Sequence, residues 1–195
     1  MILITHRINT LKELKKIPPK YGVEIDVREY RGRLILQHEP FVTGEKLEVF
    51  LKKFNHKFII FNVKSERIEF KILHYVKKYK LKKYFFLDSS FPMIKNLINL
   101  KEKNIACRVS DEEDIKTALN LKQKVIWIWF ETQFPFKKSY PILKKLKKNN
   151  FKICIVLPDL HKKKIKSNKN EILFLKKNNL IDAVCVKFKN LKNWI

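Results

Sequence analysis

The chain has 195 residues, 45% of them hydrophobic, with 44 Lys and Arg against 19 Asp and Glu, a formal net charge of +25. That is enough apolar material for one core, so residues 1–195 are expected to form a single domain. No run approaches the ~18 apolar residues of a membrane-spanning helix, and the start "MILITHRINTLKELKK" lacks the basic, apolar and small-residue succession of a secretory leader. Cys107, Cys154 and Cys185 lie singly in apolar runs without a CxxC pair, which excludes an obvious metal or redox motif and reads as reduced core thiols in a cytoplasmic protein.

In chain order, apolar runs alternate with helical patterns. "ILITHR" (2–7) is followed by the 3.6-period segment "INTLKELKKI", and "GVEIDVR" (22–28) by a hairpin-like insert, "EYRGRLILQHEP", and then "KLEVFLKKF". "KFIIFNVK" (57–64) precedes "RIEFKILHYVKKY", "KYFFLDS" (83–89) precedes "PMIKNLINLKEK", and "IACRVS" (105–110) precedes "DEEDIKTALNLK". "KVIWIWFE" (124–131), "FKICIVLP" (151–158) and "IDAVCVK" (181–187) complete the set, with "SYPILKKLKKN", "NEILFLKKN" and the remnant "FKNLKNWI" after them. The strand runs are apolar on both faces, as strands of a buried parallel sheet are. Eight βα units predict an α/β fold, a compact single (β/α)8 TIM barrel. The rival, an open doubly wound sheet, usually carries a glycine-rich first turn, and Gly22, Gly32 and Gly44 form none.

Barrel strands turn alternate residues inward, and sites form at their C-terminal ends. By that parity strand one offers Ile2, Ile4 and His6, strand two Glu24, Asp26 and Arg28, and strand three Ile60, Asn62 and Lys64. Strand four is expected to offer Phe86, Asp88 and Ser90, strand five Ala106, Arg108 and Ser110, strand six Trp127, Trp129 and Glu131, and strand eight Cys185 and Lys187. The apolar members lie low and the polar ones high, strand after strand, which independent solvated edges do not require.

At that polar end, Glu24 and Asp26 beside Asn62 and Asp88 suit a hard cation with oxygen ligands. Arg7, Arg28, Lys64 and Arg108 around them suit a phosphate, and His6 and His38 supply an acid and a base that titrate near neutral pH. Each has a plainer reading, as a core histidine or a solvated charge. His56, His74 and His161 are taken as structural or surface residues, Trp127 and Trp129 as barrel core, and Glu131 and Lys187 as further site candidates from parity alone. The basic charge favours anionic partners, although lysines on helix backs, as in "HYVKKYKLKK", also simply solvate a face. Nucleic-acid binding is the rival from another class; no binding motif is present, and the lysines are spread over many helices.

In order, "ILITHR", "VEIDVR" and "LILQHEP" resemble the H-R, E-x-D and H-D elements of the glycerophosphodiester phosphodiesterases, within the phospholipase C-like phosphodiesterase barrels. "NVKSE" stands where that family has E-x-K on strand three, and "LDSSFPMIKNL" resembles its S-F segment. The resemblance implies a metal-dependent phosphoric diester hydrolase. His6 and His38 would form the acid–base pair, Arg7 and Lys64 would hold phosphate, and Glu24 and Asp26 would hold Mg²⁺ or Ca²⁺. The implied substrate is a small phosphodiester of glycerol, a glycan or a lipid head group; from the basic charge, peripheral contact with an anionic membrane is expected, and no specific nucleic acid. Asn62 replaces the family's third acidic ligand, Asp88 is the residue expected to compensate, the loop after H-R is shortened to "INTLKELKKIPPKYG", and His38 is followed by Glu39. A barrel that binds a phosphate ligand without cleaving it stays open as the alternative.

Overall fold

The structure is a computed structural model and describes residues 1–131, 136–156, 160 and 169–194. Its strands are β1 (Ile2–Thr5), β2 (Gly22–Tyr30), β3 (Arg33–Leu36), β4 (Glu45–Lys46), β5 (Phe58–Val63), β6 (Tyr84–Leu87), β7 (Ala106–Ser110), β8 (Trp127–Glu131), β9 (Lys152–Val156) and β10 (Ala183–Val186). Between them run α1 (Leu11–Leu14), α2 (Leu47–Lys53), α3 (Glu69–Lys78), α4 (Phe91–Asn99), α5 (Ile115–Asn120), α6 (Tyr140–Lys148) and α7 (Lys169–Lys177). His161 lies outside the described residues. No described helix is long and apolar enough to cross a membrane.

Parallel pairing runs β6–β5–β2–β1–β10–β9–β8–β7. The ends of that series meet at one parallel bridge, Phe86 to Ile105, where the Phe86 N–H donates to Asn104 O at 2.9 Å. Eight strands with helices outside them therefore make the expected β/α barrel, with a thin seam between β6 and β7. Gly22 sits where β1, β2 and β5 converge, and a Cβ there would come within 2.9 Å of Phe58 Cβ. The predicted insert is an antiparallel hairpin, β2 against β3, turned through Arg31 and Gly32 at φ 49° and 77°.

Two apolar layers follow from the strand parity. Ile4, Phe58, Ile60, Trp127, Trp129, Cys154 and Cys185 fill the barrel, whereas Val23, Ile25, Phe61, Val109, Ile128 and Ile155 pack outward against the helices. All three cysteines are buried and outside any disulfide, Cys107 in the outer layer. Strand four corrects the expectation. Phe85 and Leu87 face inward, because their register partners Ile60 and Asn62 do, and Phe86 packs outward. "YFFL" is apolar throughout and carries no alternation to fix its phase. Tyr84 decides it: on the outward side its hydroxyl donates to Glu102 Oε2 at 2.5 Å. Ser90, expected at the mouth, instead caps α4 by accepting from the Met93 N–H.

Candidate active site

The polar residues of β1, β2 and β5 converge at the C-terminal end of the barrel. Glu24 and Asp26 point inward from β2 with no exposed surface, and Asn62 beside them on β5 is 7% exposed. The Asn62 amide donates to Glu24 Oε1 at 2.8 Å. Arg7 follows β1 at φ 53°, a left-handed conformation that costs a side-chain-bearing residue on the order of 1–2 kcal/mol. Its backbone N–H donates to Glu24 Oε2 at 2.6 Å, and the Ile8 N–H donates to Glu24 O at 2.8 Å, so the loop is tied to β2 by two bonds. His6 Nε2 lies 3.8 Å from the same Glu24 Oε2.

Burial first, and then the charge of Asp26, push Glu24 up to about 8, against the Arg7 N–H, the Asn62 amide and Lys64, which favour the ionised form. Glu24 is thus a carboxyl poised to give up its proton to a cation. Asp26 Oδ1 and Asn62 Oδ1 are buried oxygens with no hydrogen-bond partner, the nearest cation to the former being Lys64 Nζ at 3.8 Å. Unsatisfied buried acceptors beside a protonated carboxyl fit a hard cation. No group of three or more His, Cys, Asp or Glu gathers as a metal cluster among the described residues, and the third position beside Glu24 and Asp26 is the amide Asn62.

His38 follows β3 in the return of the hairpin, held there by Gln37 N–H on Asp26 O (3.0 Å) and by Arg28 Nη2 on His38 O (2.9 Å). Arg28 is therefore a brace for this loop. Arg7 Nη2 approaches His38 Nε2 at 2.6 Å, and Glu39 Oε1 approaches Nδ1 at 2.6 Å. A guanidinium only donates and a carboxylate only accepts, so these partners set the proton on Nδ1 and leave the lone pair on Nε2. The histidine in turn holds the Glu39 carboxyl below its usual range.

A cavity of about 180 Å³ opens beside these groups, lined by His6, Arg7, Asn62, Lys64, Asp88, Arg108 and Glu131 among others. Lys64 Nζ donates to Asp88 Oδ2 at 3.1 Å, and Arg108 is paired with Asp88, with Glu131 at 2.5 Å and with Glu113 at 3.4 Å. Asp88 reaches the mouth although its strand phase points elsewhere, because φ 58° turns the chain just past β6. Its carboxylate is directed to Lys64 and Arg108, and Lys64 bridges it to Asp26. Trp127 packs against Phe58 and Phe85 inside the barrel (ring centroids 5.2 and 4.9 Å), and Trp129 donates its indole N–H to Glu131 at 3.0 Å. Lys187 lies half-buried just past β10. His56 is bonded to Ile17 O at 2.8 Å and His74 packs on Tyr75, both away from this site.

One residue escaped sequence reasoning. Asn9 clamps Asp26 from both sides: its amide donates to Oδ2 at 2.9 Å and its Oδ1 accepts the Asp26 N–H at 2.8 Å. Its only signal is its place two residues after Arg7, just before the Thr10–Glu13 capping box that starts α1.

No protein-family model and no curated protein matches the sequence. Solved structures do match the fold. A glycerophosphodiester phosphodiesterase from Agrobacterium tumefaciens str. C58 superposes with a TM-score of 0.68 at 14% identity, over 95% of this chain and 96% of that one. A glycerophosphoryl diester phosphodiesterase from Parabacteroides distasonis gives 0.65 at 12% identity, over 94% and 81%. A putative glycerophosphoryl diester phosphodiesterase from Agrobacterium tumefaciens gives 0.67 at 10%, over 95% and 92%. Over nearly its whole length, the chain has the barrel fold of these glycerophosphodiester phosphodiesterases.

Proposed function

We propose that the chain is a divalent-cation-dependent phosphodiester hydrolase acting on glycerophosphodiester-like substrates. One observation carries this reading: of two buried, unsatisfied oxygens, Asn62 Oδ1 belongs to a residue lining a cavity ringed by His6, Arg7, Lys64 and Arg108, and Asp26 Oδ1 lies 3.8 Å from Nζ of that same Lys64. Glu24, Asp26 and Asn62 would hold the cation, Mg²⁺ or Ca²⁺, which supplies charge neutralisation for a phosphoryl oxygen. Arg7 and Lys64 bind the phosphate, with Arg108 at its edge. Arg28 and Glu39 set the position and tautomer of His38.

His38 Nε2 carries a lone pair and serves as the base that takes the proton of the attacking hydroxyl; His6 gives a proton to the leaving oxygen. Arg7 must release His38 as it turns to the phosphate, so substrate binding frees the base. The test is steady-state hydrolysis of a panel of glycerophosphodiesters and glycosyl phosphodiesters with Mg²⁺, Ca²⁺ or chelator. Cleavage of at least one member, abolished by chelator, is the expected result; cleavage indifferent to chelator refutes the cation's role.

A second reading, a phosphate-binding barrel without turnover, is favoured by Asn62 and by the closed ring of pairs that Arg108 makes with Asp88, Glu131 and Glu113. Tight binding of a non-cleavable diester without cleavage of any panel member selects it.

A further inference from the structure

We propose that the floor of the barrel, the end opposite the candidate site, docks on an anionic lipid bilayer. The floor is built by the turns that lead from each helix back to the next strand. They expose Lys80, Lys82 and Lys83 before β6, Lys101 and Lys103 before β7, and Lys122 and Lys124 before β8, with further exposed lysines before β2, β5 and β9. The only carboxylates in those turns are already engaged, Glu102 with Tyr84 OH and Asn104 N–H, and Asp182 with Lys147. Lysines spaced along the sequence gather here because cations suit helix C-termini, and every helix of this barrel ends downward.

The floor turns carry lysine and no arginine. All six arginines sit at the mouth: Arg7, Arg28 and Arg108 in the site, Arg31 and Arg33 in the hairpin, Arg67 after β5. The mouth also carries the acidic run Asp111–Asp114, whereas the floor turns hold only the two engaged carboxylates. Lysine is a hydrated point charge on a flexible stem, suited to a diffuse anionic plane, whereas the arginine fork suits phosphates read one at a time. A nucleic acid fits less well. Of the exposed rings, Phe41, Phe91 and Phe188 follow strand ends at the mouth and Phe70 and Phe174 lie within helices, so none stands in the lysine turns as a platform for bases, while Leu100, 59% exposed beside Lys101, gives an apolar contact for a headgroup layer. Docking by the floor turns the mouth to water. Given the phosphodiesterase reading, the substrate is then a water-soluble diester and not a lipid of that bilayer; the docking itself does not depend on that reading.

The experiment is sedimentation of the full chain with vesicles of phosphatidylcholine alone or mixed with phosphatidylglycerol, at low and high salt and without substrate. The parent protein is expected to bind the mixed vesicles only, and to be released by salt. Lys82→Glu/Lys83→Glu/Lys124→Glu should lower partitioning at least about tenfold, with Lys→Gln at the same positions intermediate and melting unchanged. Phe41→Ser, at the mouth, should bind as the parent does. Failure of the parent to bind, parental binding by the triple Glu variant, or loss of binding in Phe41→Ser overturns the proposal. Tighter binding of an oligonucleotide through the same lysines does so too, in favour of nucleic acid.

Discussion

Among the described residues, ten non-glycine residues adopt positive φ, and they divide evenly between the two ends of the barrel. At the floor, Lys80, Lys101, Asn150 and Asn179 each follow a helix. The N–H of Lys101 donates to Ile98 O at 2.9 Å and that of Glu102 to Leu97 O at 3.0 Å, and α3, α6 and α7 end with the same pair of bonds. These are Schellman terminations, in which the left-handed residue is usually glycine. At the mouth, Arg7, Phe41, Arg67 and Asp88 are left-handed in loops, and two of them put a guanidinium and a carboxylate into the site. The same backbone strain ends helices at one end and aims side chains at the other. Only at the mouth does a left-handed residue carry its side chain into the candidate site.

The largest effect should come from the mouth's proton carriers. His6→Ala and His38→Ala should each lower turnover about a hundredfold or more, while a non-cleavable diester still binds. Each variant should lose one limb of the pH–rate profile, though coupling through Glu24 blurs the assignment. If both variants turn over a cleaved substrate at the parental rate, the mouth is not the site of chemistry and the comparison loses one side.

Arg7→Gly sharpens the contrast, because it relaxes the backbone and removes the side chain together. Its loss of phosphate contact should cost on the order of a hundredfold in kcat/KM, the range seen for a donor aimed at transition-state charge. Stability should hold or rise. Equal loss of stability and activity would instead make Arg7 a structural tie to Glu24.

Much of this was legible because β2 alternates polar with apolar residues and because β1, β5, β7 and β8 carry their polar residues at or just past their C-terminal ends. Val-Glu-Ile-Asp-Val fixes its own phase, and the hydroxyl and charges at strand ends fix which end is the mouth. β6 was illegible for the opposite reason: four apolar residues carry no phase, and the register against β5 supplied it. Asp88 was expected in the site for a reason that fails, and arrives there through its φ instead. Asn9 and the His38–Arg7 contact were out of reach, since loops have no period and the pairing depends on how the hairpin returns over β1. The lysine floor was hidden for a similar reason: even spacing in sequence becomes one surface only when all helices point the same way.

The pH dependence of stability tests the buried pair. Glu24 is held at about 8 instead of its ordinary 4.5, so its folded state binds the proton more tightly than the unfolded chain. Below pH about 4.5 the carboxyl is protonated in both states and its full contribution is present; it is lost as pH rises to about 8. In chelator, urea unfolding of the parent should therefore weaken across that window, and Glu24→Gln should flatten the decline. A saturating divalent cation should restore the parent at the alkaline end and do little for the variant. Identical pH curves for parent and Glu24→Gln would mean that burial does not hold the Glu24 proton as described.

The smallest effect belongs to the floor. Lys80 has φ 53°, donates its N–H to Lys77 O at 3.1 Å, and is followed by Leu81, whose N–H donates to Val76 O at 2.9 Å. Those bonds use only the backbone, and the Lys80 side chain is exposed. Glycine at this position keeps both bonds and removes the Cβ that disfavours the left-handed region, at the cost of a more flexible unfolded chain. The balance predicts that Lys80→Gly raises unfolding stability by about 0.5–1 kcal/mol, read from the urea midpoint at unchanged slope. Asn150→Gly should gain less, since asparagine already tolerates this conformation. Neither change should alter turnover. A loss of stability in Lys80→Gly would mean that its side chain contributes to the floor beyond its charge, and that the two ends of the barrel are less different than their backbones suggest.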